Sequence, residues 1–414
     1  MKDSKTLLCI GWVFPEPKSS AAGTRMLQLL DCFLEQGYDI TFGTTANFTE
    51  HAVDLTKKGI QVVPLQLNSD SFDTFILNLN PAVVLFDRFM TEEQFGWRVA
   101  QHCPNAIRIL DTEDLHFLRK SREKHLKSKI HFSKQFINSD IAKREIASLY
   151  RCDLTLIISE VEYDILTRDF QIDPSLLLYI PLWVESDFDG STQLNPSFEQ
   201  RQHFIFIGNF LHAPNANAVE FLKSNVWPRL SRAIPEAVLH IYGAYAKSKH
   251  LSLSDPKNNF LVHGFVEDAH ATISAARVML APLQFGAGLK GKIFDAMSCG
   301  TPCMMTAIAA EGIFGTLQPN GSIENNMDEF VKRAIELYSN PTLWKTAQNH
   351  GFDVLKMRFN SKVFIQKLYE KINQLSQDLE AHRLQNFTGI LLQHHSLQST
   401  KYLSKWIQAK NKIN

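Results

Sequence analysis

This chain has no Cys-x-x-Cys pair. Its six cysteines, Cys9, Cys32, Cys103, Cys152, Cys299 and Cys303, are scattered. That argues against a disulfide framework and for buried free thiols in a reducing cytoplasm. The 15 histidines are spread without metal-ligand spacing, so no metal is expected. No apolar run is long enough to cross a bilayer, and the run at residues 7–11 is too short for a signal-peptide core. Charge of one sign is not in excess either: Lys+Arg and Asp+Glu both number 43. No global field therefore draws in nucleic acid, and any recognition of anions must be local. The first strand is not followed by Gly-x-Gly-x-x-Gly, and no Gly-Lys-Ser/Thr P-loop occurs.

What the chain does have is alternation. At 414 residues it exceeds one core and suggests two domains. Apolar runs at 7–11, 39–43, 60–65, 83–87, 107–111, 154–159 and 177–181 predict strands, and helical stretches such as 23–35 separate most of them. The pattern pauses in the polar, turn-rich segment 185–202 and restarts with strands at 203–207, 238–242, 260–263, 278–282 and 302–306. Helices fit near 215–231, 292–299, 327–338 and 361–375. The expectation is an α/β protein of two Rossmann-like, doubly wound domains facing a cleft: residues 1–184, a linker at 185–202, residues 203–375, and a helical tail at 376–414. The tail's Ile390, Leu391, Leu392, Leu403, Trp406 and Ile407 have the character of a packing face, on the body or on a partner.

Within this frame the loops after strands are the places to look. Residues 285–300 read Phe-Gly-Ala-Gly-Leu-Lys-Gly-Lys-Ile-Phe-Asp-Ala-Met-Ser-Cys-Gly. Gly286 and Gly288 permit close backbone approach, and Ala287 and Leu289 complete the turn. The helix that follows offers free N–H groups and a positive dipole end, with Lys290 and Lys292 adding full charges. That set suits a phosphate or diphosphate, and Asp295, one turn on, suits a hydroxylated group beside it. A plain turn with solvated lysines is the simpler alternative. Residues 111–119 carry three carboxylates and His116, which suits a substrate hydroxyl or a proton transfer near neutral pH. Residues 12–25, with Gly23 among them, form a long loop of small residues running into a helix N-terminus. Residues 206–218, with Asn209 and His212, run from strand to helix. Gly264, Phe265 and Val266 follow another strand and offer backbone to a nucleobase edge. The basic run 119–151 reads first as a solvated helical face, with anionic lipid or an anionic acceptor as the alternative.

Taken in order, eight segments (15–25, 111–119, 152–160, 207–217, 241–243, 264–266, 286–300 and 310–312) resemble the GT-B glycosyltransferases, in particular glycosyltransferase family 4 (group 1). The resemblance implies a nucleoside-diphosphate sugar held mainly by the second domain and a carbohydrate or lipid-linked hydroxyl acceptor against the first. It implies transfer without a metal or other cofactor, with retention of configuration favoured. Lys290 and the Gly286–Gly288 turn would cradle the diphosphate. Asp295 would take the ribose, His116 would face the transferred sugar, and Gly23 would approach the diphosphate from the other domain.

There are departures from the family pattern. Ala287 stands where many members have a sugar-binding glutamate. Asn209 and His212 stand near the place of the usual strand-end Arg and Lys, which shifts weight to Lys290. By family analogy the setting is polysaccharide or lipopolysaccharide assembly, in the cytoplasm or peripherally at the inner face of the membrane. The competing readings are an epimerase or phosphorylase of the same fold, and a non-catalytic sugar-nucleotide-binding scaffold.

Overall fold

The computed structural model describes residues 5–128, 138–188 and 195–413. Residues 189–194 of the expected linker, and Lys129 and Lys134 of the basic run, lie outside the described residues. In the first half the strands are β1 (Thr6–Gly11), β2 (Asp39–Thr44), β3 (Gln61–Pro64), β4 (Val83–Asp87), β5 (Ile107–Asp111), β6 (Leu154–Ile157) and β7 (Leu177–Tyr179). They form one parallel sheet in the order β3-β2-β1-β4-β5-β6-β7. Both faces are covered. Leu8, Ile10, Val84, Phe86 and Leu110 point into one core, and Leu7, Cys9, Val83, Leu85 and Ile109 into the other. That two-sided burial is why these strands read as unbroken apolar runs instead of alternating ones.

The second half repeats the plan with β8 (Gln202–Ile207), β9 (Leu239–Tyr242), β10 (Phe260–Gly264), β11 (Ala276–Ala281), β12 (Cys303–Met305) and β13 (Gly321–Ile323). Its order is β10-β9-β8-β11-β12-β13, also parallel. The six cysteines are all free and buried.

One boundary needs correction. Residues 361–375, expected with the second domain, begin a helix (Ser361–Gln385) that crosses back. Its Phe364, Leu368, Ile372 and Leu375 lie one helical turn apart and fill the first domain's core beside Phe33 and Trp183. At the crossing, the Val184 N–H donates to the Phe359 carbonyl (2.8 Å) and the Ser361 N–H to the Val184 carbonyl (3.0 Å). The expected linker also ends early. Arg201 is fully buried and donates to Pro196, Thr301 and Cys299, so it belongs to the second domain's body.

The tail packs on the first domain. Arg383 reaches Asp153 and the Ala106 carbonyl, and the last helix (Phe387–Ile413) lies along helices Arg88–His102 and Asp140–Arg151.

Candidate functional site between the domains

The glycine turn faces the first domain and is seated in it. Gly288 has φ +64, a left-handed conformation that favours glycine, and a Cβ there would lie 3.0 Å from the Asp114 Cβ. Ala287 packs on the first domain's core. A Cβ on Gly291 would lie 2.3 Å from the Cβ of Ala21. Those two residues open helices Gly291–Ser298 and Ala21–Glu35, so two helix N-termini abut across the cleft. Neither helix has an acidic residue in its first turn. Two positive dipole ends therefore meet with no carboxylate of their own to offset them.

Cations line the same place. Lys290 is buried, and its Nζ donates to the Gly288 carbonyl (2.8 Å) and lies 3.5 Å from Glu311 Oε2. Desolvation holds its amine below the usual lysine range, against the pull of Glu311. Lys292 donates to Asn215 Oδ1 (2.5 Å) with its Nζ 4.4 Å from the centre of the Phe206 ring. Desolvation pushes it down to about 7, with Asp295 opposing. Arg122 comes from the first domain and spans the cleft. It donates to the Gly286 carbonyl (2.7 Å) and in bidentate fashion to Glu311 (2.7 Å each). Burial raises the Glu311 carboxyl, but Arg122 and Lys290 outweigh it and hold it below the usual range.

Glu162, also from the first domain, is fully buried, and its Oε1 accepts from the N–H groups of Leu115 (2.9 Å) and Gly288 (2.8 Å). Its Oε2 has no hydrogen-bond partner among the described residues. Desolvation, with Asp114 adding, pushes it up to about 8. A carboxyl that is neutral near pH 7 explains why this burial is tolerated.

The first domain's wall is acidic and internally paired. Asp87 ends β4, Asp111 ends β5, and Glu113 and Asp114 follow. Asp111 is locked to Arg25 by contacts of 2.7 and 3.0 Å, both side chains fully buried. Glu113 has φ +61, and desolvation together with Asp111 pushes its carboxyl up to about 8. Burial raises Asp114, but Arg119 (2.7 Å) and His116 outweigh it and hold it well below the usual carboxylate range.

The residues singled out in the sequence divide into those the structure brings to the cleft and those it places beside it. Gly286, Ala287, Gly288, Leu289, Lys290, Lys292 and Asp295 share the turn and its helix. His116 opens helix His116–Ser128, with Nδ1 3.2 Å from the Asp114 carbonyl, 3.5 Å from Glu145 Oε1 and the ring edge-on to Phe89. It therefore stands two residues behind Asp114, the part of that loop in direct contact with the turn. Gly23 lies in the first turn of its helix, where a Cβ would meet the Glu16 backbone at 2.4 Å, so its smallness serves packing against the Glu16 loop. Asn209 accepts from the Leu211 N–H (2.8 Å) and His212 is the exposed N-cap of helix Ala213–Phe221. Phe265 is 36% exposed and stacks on His51 of the first domain at 4.2 Å, and the Gly264 carbonyl accepts from the Gly243 N–H. Val266 is partly buried beside them. Asp295 is 42% exposed, 3.7 Å from His270.

Sequence reasoning missed Arg122, Glu162 and Glu311 as site residues. Arg122 was hidden in the basic run, whose solvated-face reading holds for exposed Lys120 and Lys127 and fails for Arg122 and for Arg151, paired with Glu92. Glu311 stood inside a segment carrying the resemblance, but without a role.

Comparison with known proteins agrees with this architecture. Residues 201–340 match the family model described as glycosyl transferases group 1. A search of curated proteins finds no match. Among solved structures the chain is similar to the sucrose-phosphate synthase of Thermosynechococcus elongatus, at TM-score 0.65 and 15% identity over 90% of this chain and 99% of that one. It is similar to the Anabaena protein HepE, solved in complex with UDP and glucose, at TM-score 0.64 and 12% identity over 90% and 100% of the two chains. It also resembles WaaG, a glycosyltransferase involved in lipopolysaccharide biosynthesis, at TM-score 0.58 and 11% identity over 90% and 99%. The resemblance to GT-B glycosyltransferases therefore stands: the fold is shared along almost the whole chain, and the group 1 family model is matched over residues 201–340.

Proposed function

We propose that this protein is a glycosyltransferase that moves a sugar from a nucleoside-diphosphate sugar to a hydroxyl acceptor. The observation that carries the reading is the meeting of two helix N-termini, at Ala21 and Gly291, with no acidic residue in either first turn, beside buried Lys290 and partly buried Lys292. A diphosphate leaving group gains negative charge as the glycosidic bond breaks, and donors fixed in a dry site stabilise that charge best. In the closed arrangement protein oxygens hold these donors, the neutral Glu162 carboxyl on the Gly288 N–H and the Glu311 carboxylate on Lys290. A bound diphosphate would displace them after the domains open, and closure would then exclude water. The first-domain wall, whose carboxylates are paired or neutral, offers phosphate no net attraction and suits hydroxyls, which favours an acceptor on that side near His116.

Transfer without a metal follows from this supply of fixed positive charge. The chain's Asp187-Phe188-Asp189 has Asp-x-Asp spacing, with Asp189 outside the described residues. However, Phe188 packs on Phe352, which lies against Gly300 at the end of the helix remote from the turn. Asp295 is assigned to the ribose, and retention of configuration is the expected outcome. The names of the structural neighbours favour UDP as the nucleotide and cell-surface polysaccharide or lipopolysaccharide synthesis as the setting.

A thermal-shift screen against UDP, GDP, ADP and their sugar conjugates tests the reading, because a ligand of the native state stabilises it. One nucleotide series should raise the melting temperature, and the matching sugar conjugate should release nucleotide when an acceptor is present. No shift with any series would overturn the proposal. Conversion of the sugar without nucleotide release would favour an epimerase.

A further inference from the structure

The last helix, Phe387–Ile413, runs for 27 residues, about 40 Å at 1.5 Å per residue. It contains no aspartate or glutamate and carries Lys401, Lys405, Lys410 and Lys412, in a chain whose overall charge is balanced. One side is fixed to the first domain. A Cβ on Gly389 would lie 2.2 Å from the Tyr150 carbonyl, Gln393 donates to the Arg151 carbonyl (3.1 Å), and Ser404 is buried against Arg98. The other side is bare: Phe387 is 70% exposed, Leu391 45%, Tyr402 65% and Trp406 62%. At about 100° per residue these four fall within an arc of about 100°, and Lys405 and Lys410 fall on or beside it. The Lys410 Nζ lies 5.4 Å from the centre of the Trp406 ring.

We infer that this outer face docks the protein on an anionic lipid surface. The chemistry fits that occupant. Aromatic rings flanked by lysines and free of carboxylates suit the headgroup layer, where rings enter the boundary and lysine stems reach up to phosphate. The helix does not cross the bilayer, since no described helix is long and apolar enough to do so. On the neighbouring helices the exposed lysines are paired with carboxylates, Lys143 with Asp140 on Asp140–Arg151, against which the last helix packs, and Lys120 and Lys127 with Glu123 on His116–Ser128, so the charge of the face rests on the last helix's own lysines. The sequence-based suggestion of lipid contact from the basic run thus passes to the tail. The tail lies on the domain assigned to the acceptor, so the inference extends the proposed function towards an acceptor presented at a membrane.

Sedimentation of the full chain with vesicles tests it. Vesicles of phosphatidylcholine mixed with phosphatidylglycerol should retain the protein at low salt and release it at high salt, and vesicles of phosphatidylcholine alone should retain little. The double variant Lys405→Gln, Lys410→Gln should weaken retention about thirtyfold, at about 1 kcal/mol per lysine. Trp406→Ser with Tyr402→Ser should weaken it further still, with the melting temperature and the nucleotide thermal shift unchanged because these side chains face outward. Absence of binding to the mixed vesicles would overturn the inference. So would a stable dimer in sedimentation equilibrium that Trp406→Ser dissociates, which would assign the face to a second copy. Neither result touches the sugar-transfer reading, whose readout is the nucleotide shift.

Discussion

The two domains share a plan and differ in where they keep charge. The first buries ion pairs throughout: Arg25 with Asp111, Arg151 with Glu92, and Asp153 with Arg108 and Arg383. In the second, the largest core cluster is apolar, and its buried cations Lys290 and Arg201 are held by backbone carbonyls as well as side chains. The lesson is a division of labour. A wall whose carboxylates are neutral or already paired offers no net attraction to a diphosphate. A turn whose cations and helix end are under-compensated does offer it. Buried pairs such as Arg25–Asp111 are costly to break, at about 3–5 kcal/mol when one partner is removed, so the first wall is stiff. Under the proposed function, the second domain's contacts to Glu162 and Glu311 would be exchanged for a ligand's oxygens.

Four substitutions sharpen or break this contrast. Lys290→Ala removes the cation from the receptive side and should lower kcat roughly a hundredfold to a thousandfold. Circular dichroism and melting should change little, because Glu311 keeps its bidentate Arg122. Near-normal turnover would remove Lys290 from the site. Gly291→Val acts on closure alone. Its Cβ would collide with Ala21, so small-angle scattering should show a larger radius of gyration and kcat should fall about tenfold or more. An unchanged radius would show that the domains do not close through this contact.

Glu162→Gln probes the seam by pH. The native carboxyl titrates near 8, above its unfolded value, so the native state binds the extra proton between about 4.5 and 8. Stability is full below that window and is lost as pH rises through it. The variant keeps an acceptor for Leu115 and Gly288 and loses the titration, so its melting temperature should fall less steeply from pH 5 to pH 8. Some slope should remain, since Glu113 is raised in the same direction. Equal slopes would mean that Glu162 is ionised in the native state. The smallest effect belongs to Lys18→Ala at the rim. Lys18 pairs with Glu267 across the domains, but both are largely exposed, and nucleotide affinity should change less than twofold.

Much of the frame could be read in advance because its causes are local. β4 and β5 fall on the expected residues since two-faced burial writes itself as Val-Val-Leu-Phe and Ile-Arg-Ile-Leu. The three-residue edge strand β13 carries too little apolar pattern to be seen. The helix Pro341–Arg358 went unread, although Asn340 caps it and Pro341 opens it. The glycine turn was legible because a backbone requirement and charge coincide within seven residues, 286–292. Arg122 and Glu311 were not, because they lie 189 positions apart and only the folded interface unites them. Glu162 had no local signal at all: its neutrality comes from burial, which spacing does not reveal.

The doubled crossing at Val184 and Phe359–Ser361 has a mechanical corollary. Two backbone segments tied side by side behave as a strap, not as two independent tethers. A strap bends readily across its flat side and resists shearing, so the lobes should swing apart like a book and not slide past each other. A return swing would then bring Ala21 back onto Gly291 in the same alignment.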